Sequence, residues 1–232
     1  MYYGYGYMGW YASMIILVPA LLLTIYAQAK VKTNYNKYSQ VMNMRRISGA
    51  QAARIMLDAN GLHHVKINIT NGKLTDHYDP RTQTVTLSTD VYNNASIASI
   101  GVACHECGHA VQHATGYSPL KFRSFVVPMA NFGSGMAIPL FVLGFIMGIE
   151  GLEILGILFF SFAVLFQAVT LPVEFNASKR ALAQMQDLGI VMNGEEQGAK
   201  KVLGAAAMTY VAALLVSLLQ LVRLILLSRS RR

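Results

Sequence analysis

Four apolar runs stand out along the chain: Tyr11 to Ala27, Val126 to Ile149, Leu152 to Leu171 and Val202 to Val222. A bilayer core of about 30 Å takes roughly 20 helical residues at about 1.5 Å rise each, and every run meets or approaches that length. The second run carries Pro139 and a Gly144-xxx-Gly148 pair of the kind that lets helices pack closely. Only Glu150 and Gly151 divide it from the third, so the two are expected to form a tight helical hairpin. Arg223 and a basic tail of Arg229, Arg231 and Arg232 follow the fourth.

The polar stretch after the first run has a different pattern. Ser48 followed by Gln51 reads as a capping box opening a helix to about Asn60, with Gly61 as its stop. His63 to Thr70 and Lys73 to Tyr78 each alternate polar and apolar residues around Asn71-Gly72, a type I′ turn signal. Thr82 to Ser88 follows an Asp79-Pro80 turn, and the three runs together predict a small antiparallel meander. Asn94 can then cap a helix from Ala95 to Ala114 that stops at Gly116. The expected fold is mainly α. It is a multi-pass membrane protein of about four transmembrane helices, with a small α+β unit holding a short antiparallel three-stranded sheet. One membrane-embedded domain would cover residues 1–232, with residues 30–125 and 172–201 as its catalytic segment.

Composition supports the membrane reading. The 232 residues are 54% hydrophobic and 13% charged, with a mean hydropathy of +0.40, where a soluble domain carries roughly 25% charge. Disorder, coiled coil and collagen are excluded. The net charge of +8 is dispersed rather than gathered on a stripe, which argues against nucleic acid as a partner. Four crossings put the two polar stretches on one side, with Lys30, Lys32, Lys37, Lys121, Arg123, Lys179, Arg180, Lys200 and Lys201 near the span ends. The positive-inside tendency makes that side cytoplasmic, in a cell membrane, with both termini outside; the basic tail pulls the other way. Ala27-Gln28-Ala29 resembles a signal-peptide cleavage site, yet Met1 to Tyr11 lacks the positive charge such a peptide carries. Cys104 and Cys107 sit three apart in one helical segment, cannot form a disulfide framework, and read as small buried thiols.

The predicted helix 95–114 contains His105-Glu106-Cys107-Gly108-His109, the H-E-x-x-H pattern. At about 100° per residue the two histidines lie about 40° apart and about 6 Å along the axis, so both can reach one metal. Glu106 falls beside the metal without coordinating it, where it can take a proton from water. With six histidines and six glutamates in the chain, about 0.004 chance matches are expected, so the match is treated as a zinc site, one ion per chain.

A catalytic zinc takes a third protein ligand and keeps one position open. His113 lies about 12 Å along the axis from His105, too far to share the ion with both histidines. Glu174, just past Pro172, is the favoured third ligand because the topology returns it to the histidine side. Asp187, Glu195 and Glu196 are its rivals.

These residues match a known pattern. The chain resembles the small bacterial membrane zinc metallopeptidases of the YugP type, themselves distantly similar to the HtpX membrane proteases. The resemblance covers nearly the whole chain: an N-terminal span, the stretch from Tyr78-Asp79-Pro80 to Ser88, the His-Glu-x-Gly-His helix, and Leu171-Pro172-Val173-Glu174-Phe175 after a helical hairpin. It implies a zinc endopeptidase with His105, His109 and Glu174 as ligands and Glu106 as base. The family pattern reads Glu-Phe-Asp-Ala-Ser, and Asn176 stands where Asp is usual, which puts a carboxylate behind the ligands in doubt. In similar enzymes a His, Tyr or Arg stabilises the oxyanion; His63, His64, His77, Tyr78 and Arg180 are candidates. Gln83 to Leu87 is expected to offer an edge strand for an extended peptide.

The function expected is membrane-anchored, zinc-dependent hydrolysis of peptide bonds in membrane or membrane-proximal proteins. Two alternatives stand beside it. One is an intramembrane zinc protease with Asp187 as a ligand, and the other is a scaffold whose zinc site is structural.

Overall fold

Among the described residues each apolar run lies largely within a longer helix. The computed structural model describes residues 13–192 and 194–230; the first two residues of the first apolar run, the Met1 to Tyr11 stretch and Arg231 and Arg232 lie outside the described residues. Along the chain come α1 (Val18–Ser39), α2 (Gly49–Ala59), β1 (Lys66–Thr70), β2 (His77–Asp79) and β3 (Thr84–Ser88). They are followed by α3 (Thr89–Asn93), α4 (Ile97–Ala114), α5 (Ser118–Met147), α6 (Glu150–Asp187) and α7 (Glu196–Arg229). Among the described residues α1 with its leading turn, α5, α6 and α7 are the helices long and apolar enough to cross a membrane. Ala27-Gln28-Ala29 lies within the unbroken α1.

The chain divides into two compact units. One comprises Lys121–Pro172, Thr209–Arg232 and the N-terminal segment to Tyr26; the other comprises Ala27–Leu120 and Val173–Met208. In the first, the hairpin forms as expected but breaks two residues early, at Gly148 and Ile149. Gly148 takes φ 74°, and Ile149 N–H donates to Gly144 O at 2.9 Å, a helix-ending arrangement that favours glycine. Gly148 builds the turn, while Gly144 lets α5 and α6 approach closely as expected: a Cβ on Gly144 would lie 2.7 Å from Glu153 N and 2.8 Å from Leu152 Cβ. Two further glycines share that role, since a Cβ on Gly156 would lie 2.7 Å from Ala137 O and one on Gly133 2.7 Å from Phe159 O. Arg223, 4% exposed, donates from Nε to Ser13 Oγ at 3.0 Å.

The second unit has its own core. Ser48 and Gln51 form the expected capping box at the start of α2, and Gly61 follows its end with φ 70°. The hydrophobic faces of α2 and α4 meet through Ala52, Ala53, Met56, Ile100, Cys104 and Cys107, all fully buried. The C-terminal part of α6 continues past Pro172 as a helix and buries Val173, Ala177, Ala181 and Met185. That four-residue spacing is one helix face turned to a core.

The sheet corrects the expected meander. Its order is β1-β3-β2, with β1 parallel to β3 (Ile67 opposite Val85) and β2 antiparallel to β3 (Tyr78 opposite Val85). Asn71-Gly72 does not close a hairpin. The Asp76 carboxylate instead accepts from Ser88 N–H at 2.7 Å and from its hydroxyl at 3.1 Å, which ties the connecting loop to the end of β3. The chain then descends along the other side of that strand. Central placement explains why Val85 and Leu87 are fully buried. It also overturns the expectation that Gln83 to Leu87 is an edge, since both sides of β3 are already hydrogen-bonded; the open edges belong to β1 and β2.

Candidate metal centre

The helix that carries the motif starts two residues later than expected. Ser96, not Asn94, is its N-cap, with Oγ accepting from Ser99 N–H at 3.1 Å; Asn94 instead follows the short α3. From that start, Ile97, Ile100, Ala103, Cys104, Cys107, Ala110 and Val111 turn into the core. His105 and His109 stand one turn apart with ring centroids 4.9 Å from each other and planes at 83°.

Glu174 meets them from α6. Its Oε2 lies 3.3 Å from His105 Nε2 and 3.6 Å from His109 Nε2. The two imidazoles are 12% exposed and the carboxylate 4%. Gly108 makes this approach possible, because a Cβ there would lie 2.7 Å from the backbone oxygen of Ala177. Glu106 is buried on α4, and its side chain makes no hydrogen bond to another described residue.

The donor set fits zinc. Ligand atoms about 2.1 Å from a tetrahedral ion sit about 3.4 Å from one another, close to the separations from Glu174 to each ring. Two imidazoles and one carboxylate, all within 4.8 Å, leave one tetrahedral position open. Burial opposes protonation of His109, yet the neighbouring Glu174 and Glu106 carboxylates outweigh it and raise its pKa above the ordinary value.

The family model described as "Putative neutral zinc metallopeptidase" matches residues 13–229. The chain belongs to this family. A relative from Bacillus subtilis (strain 168), named "Putative membrane protease YugP", is 49% identical over 213 residues, spanning 92% of this chain and 95% of the relative. No solved structure matches. Membership of a zinc metallopeptidase family agrees with a donor set of this chemistry.

Other residues singled out from the sequence lie elsewhere. The Glu195 carboxylate is occupied by Met44 N–H at 2.7 Å and Met192 N–H at 2.8 Å, Glu196 accepts from Gly194 N–H, and Asp187 is exposed at the end of α6. His113 pairs with Tyr78, Nδ1 to hydroxyl at 2.9 Å. His63 bonds exposed Asp58, His64 is exposed, and His77 faces Thr75 O. Arg180 stacks over Tyr117 at 5.9 Å. Both cysteines are free and buried, and burial pushes the Cys104 thiol up to about 12.

Asn176 touches neither imidazole; its Oδ1 accepts from Gln112 Nε2 at 3.0 Å and Arg180 Nε at 2.8 Å. Ser178 and Gln112 bond the rings instead, at His105 Nδ1 (3.1 Å) and His109 Nδ1 (3.0 Å). Neither was singled out from the sequence. The available signal was helical spacing: Gln112 is three residues after His109, and Ser178 four after Glu174.

Proposed function

We propose that this family member is a membrane-anchored zinc endopeptidase in which His105, His109 and Glu174 hold one zinc ion and Glu106 is the general base. The observation that carries the reading is the convergence of two Nε2 atoms and one carboxylate oxygen beside an unengaged Glu106. Zinc held by such a set supplies Lewis acidity, polarising the scissile carbonyl and easing deprotonation of water near neutral pH. The histidines present Nε2 to the ion while Ser178 and Gln112 hold their Nδ1 sides. Glu106 accepts the proton of the attacking water on its carboxylate and returns it to the leaving nitrogen.

The chain acts as one membrane-embedded peptidase domain with residues 30–125 and 172–201 as its catalytic segment, in a cell membrane with that segment cytoplasmic. Glu174 follows the apolar run of its own helix by three residues, which favours membrane or membrane-proximal proteins as substrates. The motif helix α4 is not among the long apolar helices, and this favours a membrane-anchored over an intramembrane protease.

The test is zinc content and cleavage of an unfolded protein by the purified full chain. Glu106→Gln should retain about one zinc per chain and lose cleavage by roughly 10²–10⁴-fold. Glu174→Ala should lose zinc, while Asp187→Ala should keep both zinc and cleavage. Zinc retained by wild type and Glu106→Gln without cleavage by either would point to a structural site. Loss of zinc on Asp187→Ala would favour the intramembrane alternative.

A further inference from the structure

Resting on the reading of His105, His109 and Glu174 as ligands, we infer that Gln112 is a positioning residue that fixes the tautomer of His109 and ties its ring to the helix carrying Glu174. Gln112 is fully buried, and its neighbours dictate which way its amide lies. The Val173 carbonyl oxygen can only accept, so the atom 2.8 Å from it is the NH2 nitrogen. Its second proton goes to Asn176 Oδ1 at 3.0 Å. The identity of that oxygen is set in turn by Arg180, whose Nε can only donate and lies 2.8 Å away.

With both amide protons spent on α6, Gln112 Oε1 faces His109 Nδ1 at 3.0 Å. An amide oxygen only accepts, so the proton of the ring sits on Nδ1 and the lone pair of the neutral imidazole on Nε2. Nε2 is the atom that faces Glu174 Oε2, at 3.6 Å. Every direction in this chain of bonds follows from two groups with no alternative role, a backbone carbonyl and a guanidinium. His105 is supported differently, because the Ser178 hydroxyl can donate or accept and imposes no tautomer. Gln112 also joins the ligand set mechanically: it holds His109 on α4 while gripping Val173, one residue before Glu174, and Asn176, two residues after it, on α6.

Chelator competition on the detergent-solubilised full chain tests this, with wild type beside Gln112→Met, Gln112→Glu and Asn176→Ala. Gln112→Met keeps the volume and removes the bonds; it should weaken zinc binding about 10–100-fold, the usual effect of losing a group that orients a ligand. Gln112→Glu restores an acceptor for Nδ1 but lacks the amide protons given to Val173 O and Asn176 Oδ1, so it should recover only part of that affinity. A residue that merely fills space would give the opposite order, methionine being the milder buried substitution. Asn176→Ala should weaken binding by a smaller factor, and it carries the test together with Gln112→Glu should Gln112→Met not fold. In the zinc-loaded wild type, histidine nitrogen spectra should show His109 protonated at Nδ1. Unchanged affinity in Gln112→Met, a glutamate variant worse than methionine, or metal on Nδ1 would overturn the inference while the ligand assignment stood. A wild type that takes up no zinc would overturn the ligand assignment itself.

Discussion

In the proposed mechanism the proton-transfer carboxylate must not be consumed by its neighbours, and Glu106 is buried on α4 with no side-chain hydrogen bond among the described residues. Asp76 shows the contrast, a half-buried acid engaged by the Ser88 backbone and hydroxyl. Burial raises its pKa, against the lowering effect of the Ser88 backbone and hydroxyl bonds. A folded pKa above the unfolded one contributes stability that is complete below the unfolded value of about 3.9 and is lost as pH rises through the folded value. Asp76→Asn should therefore flatten the stability profile in that acidic window while preserving an acceptor for Ser88 N–H. Asp76→Ala strands that buried donor and should cost about 1–3 kcal/mol at neutral pH, read from denaturation in detergent. The two cysteines make a second case: with Cys104 and Cys107 buried and their thiol pKa values raised, neither should react with iodoacetamide near neutral pH until the protein is unfolded. At this scale the sequence pointed to His105, Glu106 and His109 through their helical spacing and to Glu174 through the topology that returns it to the histidine side. Gln112 and Ser178 escaped notice because amides and hydroxyls occur everywhere, and only the packing of two helices gives these two their partners.

Elements meet at backbone distances that single side chains control. Gly108 lets α4 approach Ala177 on α6, and the ligand set needs that approach. Gly108→Ala should push the helices apart by some tenths of an ångström and lower zinc affinity, while Gly135→Ala, where a Cβ meets nothing within 4 Å, should leave it unchanged. The central position of β3 yields a further prediction. Val85→Pro removes a donor from the middle of the sheet and should prevent folding of this unit. An extended substrate would have to pair with an open edge, and β2 is the edge strand whose Tyr78 reaches α4 through His113. Peptides N-methylated at alternate amides should lose affinity if pairing of this kind binds them; undiminished binding would count against it. Helix positions and the α2 capping box were legible in the sequence because periodicity and capping are local. Strand order was not, because the bond from Asp76 to Ser88 that redirects the chain is made across twelve residues and leaves no local pattern.

For the whole molecule, a zinc ion held by the proposed ligand set would join α4 to α6, so the folded state should gain stability by mass action. At a free zinc concentration about 100 times Kd the gain is about 2.7 kcal/mol. Chelation should lower the melting temperature of wild type and leave Glu174→Ala unaffected. Sidedness is open to reporter fusions, with a cytoplasmic reporter expected to be active in the stretch before α5 and inactive at the C-terminus.

The order of synthesis bears on all of this. His105 and His109 leave the ribosome well before Glu174, and everything between them includes α5 and the apolar part of α6. The ligand set therefore cannot be completed until the hairpin has been made, and the carboxylate arrives on the very helix whose first half is apolar. On the proposed ligand set, a nascent chain would carry the H-E-x-x-H motif without a whole centre, and proteolytic competence would be deferred during biogenesis until the hairpin segment has emerged.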